Sequence, residues 1–500
     1  MSIDNPLMSS TGHLYDGSLS LLTDFYQLTM ADGYWKSGHD EQEAVFNLFF
    51  RENPYGGGYS ICCGLSTVIE YLRNFRFDRS DIEYLSSIRG NDDLPIFDPN
   101  FLAYLETLKL TCDIDAIPEG TVVFPHEPLV RVQGPIIQCQ LVESFLLNTI
   151  NFQTLIATKA SRLCQAASDE PVLEFGLRRA QGIDGSISAS RAAYIGGCEG
   201  TSNVLAGRLL NIPVRGTHAH SWVMSFGEEV DAFFAYARAL PNNCVFLVDT
   251  YDSLQGVHNA VKVGRWLRSR GHSLAGIRLD SGDLAYLSIQ ARKILDEAGF
   301  ENTPILASND LDESIIASLK QQGAKITIWG VGTRLVTGND QPALGGVYKL
   351  TALRQPGGAW EHKLKLSEQT AKVSTPGILQ VRRFLSDDGF VADAIYDQLL
   401  GLGDTIHIVH PLDFTRRKEV PSKTPYQDLQ IPIFRKGETV YSPPPLVEIR
   451  DYAKHQLRQL HSSVRRFVNP HMYPVGLEQG LHELKTRLIL KARQIGPVVK

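Results

Sequence analysis

NCVFLVDT (residues 243–250) and GIRLDSG (276–282) are two short apolar runs, each closing on carboxylates, hydroxyls or glycine, with a helical stretch between them. Strand, helix and strand in that order imply a parallel βαβ unit, because parallel neighbours need a crossover. Four further runs repeat the rhythm: PVLEFG (171–176), NIPVRGT (211–217), TPILASND (303–310) and AKITIWGVGT (324–333). Six such units predict a barrel or partial barrel, in which chemistry collects at the C-terminal ends of the strands.

The flanks read differently. LLTDFYQLTMADGYWKSG (21–38) predicts a helix, with Thr-Asp at its start and Gly38 at its stop. AVFNLFFREN (44–53) alternates as a strand, and a helical run follows with Leu65, Ile69 and Leu72 on one face. CDIDAIPEGTVVFPHEPLVRVQGPI (112–136) breaks into short strands. After GGVYKL (345–350) more short strands run to about residue 440, and VYSPPPLVE (440–448) reads as a stiff linker. The expected division is an N-terminal α/β lobe over 1–140 completed by 355–445, a catalytic barrel over 141–354, and a helical, rather basic extension over 446–500.

Five hundred residues exceed one ordinary core. With 49 lysines and arginines against 55 acids, the chain lacks the basic balance that coating nucleic acid requires. Seven scattered cysteines without a C-x-x-C predict neither a disulfide framework nor structural zinc, and fit a reducing compartment. MSIDNPLMSSTGHLYDG (1–17) has no signal pattern, and ESFLLNTINFQTLIATKA (143–160) is too short and polar to span a bilayer. A cytoplasmic protein without a membrane partner is expected.

The strand ends supply a mixed set of groups. EFGLRR brings Phe175 and Arg178, an aromatic and a guanidinium suited to a flat anionic ring, although Phe175 equally suits a core. IRLDSGD brings Arg278, Asp280 and Asp283; the carboxylates suit ribose hydroxyls or water-bound magnesium, and Asp280 equally suits a helix cap. Ser308 and Asn309 close one run, and Gly330, Gly332 and Thr333 the next, where bare backbone and a hydroxyl suit a phosphate. GTHAHSW (216–222) adds Thr217, His218 and His220. On a strand, the two histidines would share a face and could bind zinc, but later strand ends offer Asp, Thr, Asn and Gly rather than more histidine. A phosphate-accepting imidazole is the other functional reading.

Taken in order, TDFYQLTM (23–30), EFGLRRAQG (174–182), EGTSNV (199–204), GTHAHSW, VDTYDS (248–253), RLDSGDL (278–284), GVGTRLVT (330–337), LGGVYKL (344–350) and VRRFVNPHMYPVGL (464–477) resemble the nicotinate phosphoribosyltransferase family almost end to end. The resemblance implies a type II phosphoribosyltransferase fold: an irregular α/β barrel with a second α/β lobe built from N-terminal and post-barrel segments. It implies formation of nicotinate mononucleotide and pyrophosphate from nicotinate and phosphoribosyl pyrophosphate, with Mg²⁺, coupled to ATP hydrolysis through a phosphohistidine, in a homodimer. By motif, His220 matches the phosphorylated histidine and Thr217 lies in the nicotinate site. Tyr26 matches a ring-covering tyrosine, with the partner subunit as its expected source, and Phe175 takes the other ring face beside Arg178. Arg278 and Asp280 match the substrate arginine and the acid beside ribose and pyrophosphate. Gly332 and Thr333, assisted by Ser308 and Asn309, match the 5′-phosphate loop. Ser202 stands where nicotinamide-using relatives carry an aspartate, which would repel a nicotinate carboxylate. Rival readings are a nicotinamide- or quinolinate-using relative, an H-x-H metal-dependent hydrolase and a non-catalytic nucleotide sensor.

Overall fold

A computed structural model describes residues 19–168, 170–369 and 372–494. The stretch read for a signal pattern, residues 1–17, lies outside the described residues. The chain divides into two compact units, Ile156–Pro342 and a second made of the residues up to Leu155 with those from Ala343 onward. The division falls inside one 25-residue helix, Glu143–Ala167.

Ile156–Pro342 holds six parallel strands: β1 (Val172–Glu174), β2 (Gly200–Thr201), β3 (Val245–Leu247), β4 (Gly276–Leu279), β5 (Ile305–Asn309) and β6 (Ile328–Val331). They pair in the order β2-β1-β6-β5-β4-β3. Helices Ser253–Arg268, Leu284–Glu297 and Glu313–Gln321 follow β3, β4 and β5. Each begins at an aspartate, Asp252, Asp283 or Asp312, whose carboxylate accepts from a backbone N–H of the first turn. The strands are buried aliphatic runs, as a sheet covered on both faces requires. Behind them Glu313 is buried between Lys159 and Arg162, at 2.8 Å from each.

Five of the six expected strands form where read. NIPVRGT does not: only Val214 makes a single parallel bridge, to Thr201. Pro213 has no N–H to donate, so this segment offers a carbonyl to Thr201 N and takes one bond back through Arg215 N. The sixth strand is instead Gly200–Thr201 of EGTSNV, too short for periodicity to show. A side chain at Gly200 would meet Pro213 O at 2.6 Å, so only glycine permits this approach.

The second unit contains a mixed-origin sheet. Strands Glu43–Phe50, Asp113–Ala116 and Val130–Pro135 pair with Gly346–Arg354, Glu361–His362, Ile431–Arg435 and Glu438–Thr439 in one seven-stranded sheet. The N-terminal helix runs Phe25–Lys36 from Asp24, and Leu65–Arg73 buries Leu65, Ile69 and Leu72. A further six-stranded sheet of the same unit, unforeseen as a sheet of its own, is built from Leu379–Ser386, Gly389–Asp397, Ile406–Val409, Arg417–Val420, Tyr426–Asp428 and Val475–Glu478. The last of these corrects the reading of 446–500 as a helical extension. Between helices Leu446–Gln459 and Gln479–Ala492, the VGLE strand sits inside the sheet, flanked by Ile406–Val409 and Gly389–Asp397. Four residues are too few to outweigh the helical pattern around them. Among the described residues no helix is long and apolar enough to cross a membrane.

The C-terminal end of β3 is held against the helix that follows it. A methyl group on Gly256 would lie 2.0 Å from the carbonyl oxygen of Val248. Gly256→Ala should therefore destabilise the protein by about 1–3 kcal/mol in chemical denaturation. Gly227→Ala, with nothing within 4 Å of the added methyl, should stay within roughly 0.5 kcal/mol of the parent.

Candidate active site

Arg278 leaves β4 with its side chain largely buried. Its guanidinium donates in three directions: Nε to Ser308 Oγ at 2.6 Å, Nη1 to Thr217 Oγ1 at 3.0 Å and Nη2 to Asp280 Oδ1 at 2.7 Å. Ser308 also donates to Asp280 Oδ1. One planar cation thus ties the ends of β4 and β5 to the loop carrying Thr217, which the fork geometry of arginine allows and lysine does not.

Asp280 does not cap the following helix; Asp283 does, accepting from Tyr286 N at 3.0 Å. The backbone N–H of Asp280 donates instead to Asp249 Oδ2 at 2.8 Å, which also accepts from Ser281 Oγ at 2.6 Å. Burial alone would raise the Asp280 pKa. The Ser308 hydroxyl and the Arg278 guanidinium outweigh it and, with His220, hold the carboxyl below the usual range. Asp280 is therefore an anion throughout the neutral range.

The two histidines part company. His220 opens the short helix His220–Met224, so the pair does not lie on a strand and does not share a face. Its Nδ1 lies 3.1 Å from Thr250 Oγ1, and its Nε2 lies 3.8 Å from Asp280 Oδ2. His218 turns inward among Phe233, Tyr236 and Phe246, and its Nε2 accepts from Leu247 N at 3.3 Å. Burial pushes the His218 pKa down to about 4. It is a neutral packing and hydrogen-bonding residue, while His220, partly exposed, faces the acid.

Phe175 is half-buried and continues the ladder by donating its N–H to Val331 O at 2.8 Å. Arg278 Cζ lies 6.0 Å from its ring centre. Gly330 and Gly332 have a packing reason as well as the phosphate-binding one. A side chain on Gly330 would meet the Phe175 ring at 2.8 Å, and one on Gly332 would meet Phe175 O at 3.1 Å. Thr333 begins the short helix Thr333–Val336, half-buried. Arg178 is exposed in the turn Leu177–Arg179. Ser202 is half-buried and donates its N–H to Glu174 O at 2.9 Å. Asn309 is exposed, with its side-chain oxygen on Asp310 N at 2.8 Å. Tyr26 belongs to the other unit, half exposed on helix Phe25–Lys36.

Three residues to which the sequence reading assigned no role shape this rim. Glu174, fully buried at the end of β1, accepts from Gly176 N, Ser190 Oγ at 2.8 Å and Thr201 Oγ1 at 2.5 Å. That one carboxylate fixes the turn bearing Phe175 and the strand leading to Ser202. Its only signal in the sequence is an acid inside an apolar run. Asp249 and Thr250 orient Asp280 and His220, and both stand at a strand end in VDTYDS.

The matches to known proteins span the chain. The nicotinate phosphoribosyltransferase N-terminal domain model matches residues 21–151, the family model 171–362 and the C-terminal domain model 380–485. A nicotinate phosphoribosyltransferase of Bacillus subtilis is 44% identical over 486 residues, covering 95% of this chain and 97% of its own. The chain belongs to the nicotinate phosphoribosyltransferase family. It is an enzyme of that family. The Dictyostelium discoideum nicotinate phosphoribosyltransferase is 38% identical, over 93% of this chain and 87% of its own. The crystal structure of human nicotinic acid phosphoribosyltransferase superposes with a TM-score of 0.80 at 32% identity, covering 93% of this chain and 99% of that one. A nicotinate-nucleotide pyrophosphorylase from Pyrococcus furiosus, 20% identical with a TM-score of 0.64, shares the fold. The fold is the irregular α/β barrel with a second α/β lobe expected from the sequence.

Because the folded-state pKa of His218 lies below the unfolded value, the unfolded chain takes up that proton first. The stability it contributes is present above about pH 6.5 and is lost as pH falls toward 4, by roughly 2–3 kcal/mol. Denaturation midpoints at pH 7.5 and 5 should show this loss in the parent protein and a smaller one in His218→Gln. Equal losses in both would remove His218 as a cause.

Proposed function

We propose that the chain transfers the phosphoribosyl group of phosphoribosyl pyrophosphate to the ring nitrogen of nicotinate, coupled to ATP hydrolysis through phosphorylation of His220. The arrangement that carries this reading is the Arg278 fork, which gathers Thr217, Asp280 and Ser308 beside the partly exposed His220. Family membership supplies the substrates; the convergence of cation, carboxylates, hydroxyls and imidazole supplies the means.

The pyridine nitrogen already holds its lone pair, so no base is required. It attacks the anomeric carbon as the bond to diphosphate breaks, and the developing positive charge on the ribose ring lies near the anionic Asp280. Catalysis is then mainly positioning and charge stabilisation. In the coupled step one imidazole nitrogen attacks the γ-phosphorus of ATP and the bond to ADP breaks. The proton on the other nitrogen stays, which leaves a cationic phosphoimidazole that Asp280 stabilises. Water later cleaves the N–P bond.

The family reaction implies Mg²⁺. Among the described residues no group of three or more histidine, cysteine or acidic side chains forms a cage for an ion. The donor set fits a magnesium held chiefly by substrate phosphates, because the Asp249 carboxylate is anchored on the backbone N–H of Asp280 and its Oδ1 has no protein partner. These two residues would hold it, directly or through water. When bound, it supplies charge neutralisation on the diphosphate.

We infer that Phe175 and Tyr26 are the aromatic residues that cover the pyridine and that the enzyme acts as a homodimer. Ser202 favours the acid over the amide, since an aspartate there would repel a carboxylate and accept from an amide N–H₂. Arg178, Asn309, Gly330, Gly332 and Thr333 are the remaining substrate contacts in this reading.

His220→Ala should abolish nicotinate-stimulated ADP formation while retaining some uncoupled ribosyl transfer; ADP formed in step with product in this variant would refute the assignment. Ser202→Asp should lower kcat/KM for nicotinate at least tenfold and raise it for nicotinamide, measured side by side. A parallel fall for both substrates would place Ser202 outside the substrate-discriminating contacts.

A further inference from the structure

The second six-stranded sheet ends at the edge strand Arg417–Val420, which pairs with Ile406–Val409. Between this edge and the segment 469–475 lies a cavity of about 660 Å³. Its lining includes Arg416, Arg417, Lys418, Arg466, His410 and His471, and none of its lining residues is an acid. Arg416 pairs with Asp413, Nε to Oδ2 at 3.3 Å. The other three long cations have no carboxylate within ion-pair reach among the described residues.

Each of those three is aimed by one bond to a backbone carbonyl, which leaves its remaining donors for something else. Arg417 Nε donates to Phe414 O at 3.1 Å, Lys418 Nζ to Val391 O at 2.8 Å and Arg466 Nε to Ser463 O at 3.2 Å. Partial burial pushes the Lys418 amine below its usual pKa, consistent with a desolvated charge lacking a counter-ion. The floor is rigid and apolar: Ile408, Val475 and Tyr473 are buried, and Tyr473 is stacked on Phe124 at 4.2 Å with its hydroxyl on Asp393. Cations on an edge strand also discourage edge-to-edge pairing. That accounts for Arg417 and Lys418, but not for Arg466 and His471, which reach the same cavity from outside the strand.

We propose that this cavity is an accessory site for a small molecule bearing two or more adjacent phosphates. Its volume lies in the range of small-molecule sites. Arginine forks bind phosphate oxygens in pairs, and three unpaired cations match the charge of a di- or triphosphate. The apolar floor takes an organic group attached to the phosphates. The residues involved all belong to the unit that does not contain His220 and Asp280. None of the catalytic-rim residues lines this cavity.

The test is calorimetric titration of the full chain with ATP and, separately, with inorganic triphosphate, the second arm isolating the phosphate chain from the nucleoside. Both are run on the parent protein, on Arg417→Gln/Arg466→Gln, and on His220→Ala. The expected result is a binding event for at least one probe that weakens roughly tenfold for each cation removed and persists in His220→Ala. If the double variant melts early, Arg466→Gln alone, exposed and off the strand, gives the same reading at roughly tenfold. The proposal is overturned if neither probe shows an event that is sensitive to these substitutions in a variant with the parent melting temperature. An event lost in His220→Ala and unchanged in the arginine variants places the binding at the catalytic rim and likewise overturns it.

Discussion

Three loops of the barrel meet on the guanidinium of Arg278. Its donors reach Asp280 and Ser308 at the ends of β4 and β5 and Thr217 in a loop, residues up to 91 positions apart in the chain. A planar fork with fixed directions imposes relative positions on its acceptors, so the site geometry follows from this residue more than from any loop's own preference. With the Ser308 hydroxyl it holds the Asp280 carboxyl below the usual range, and the acid in turn faces His220. Should Arg278 be removed, Asp280 would lose its main cationic partner and Thr217 its tether in one step. The positions of His220 and of Asp280 relative to each other are secured a second time from below, through Thr250 and Asp249 at the end of β3.

The fate of the histidine pair shows how little separates structure from chemistry here. His218 and His220 differ by two positions, and on a strand they would have been equivalent. Proline in the preceding segment prevents a strand, and the chain turns into a helix at His220. One imidazole is drawn into an aromatic cluster, loses its charge, and supports the backbone of β3. The other stays at the rim with a hydroxyl and a carboxylate for neighbours. Burial, not ring chemistry, assigns the two roles.

Much of the barrel was legible because five of its strands are short, mostly apolar runs of three to five residues followed by polar groups. TPILASND and AKITIWGVGT announce β5 and β6 in this way. Gly200–Thr201 was not legible, since two residues carry no period and the strand exists through a glycine that admits a neighbouring carbonyl. The VGLE strand was hidden for a related reason: its partners lie about 70 to 80 residues away in the chain, and only tertiary pairing selects it. Of the site, Arg278, Asp280, Ser308, Thr217 and His220 could be named from strand ends and motifs and are joined in the structure. Glu174 could not, because a buried acid is recognisable only once its three donors are in place. Gly330 and Gly332 could be named, but their packing against Phe175 needed coordinates.

On this reading the rim uses ATP to drive ribosylation of a pyridine acid. Its most direct measurement is diphosphate release from phosphoribosyl pyrophosphate, followed with nicotinate and with nicotinamide, in the presence and absence of ATP. Release is expected with nicotinate, increased by ATP and accompanied by ADP in step with product. Release with nicotinamide alone, or with nicotinate at a rate and extent indifferent to ATP, would contradict it.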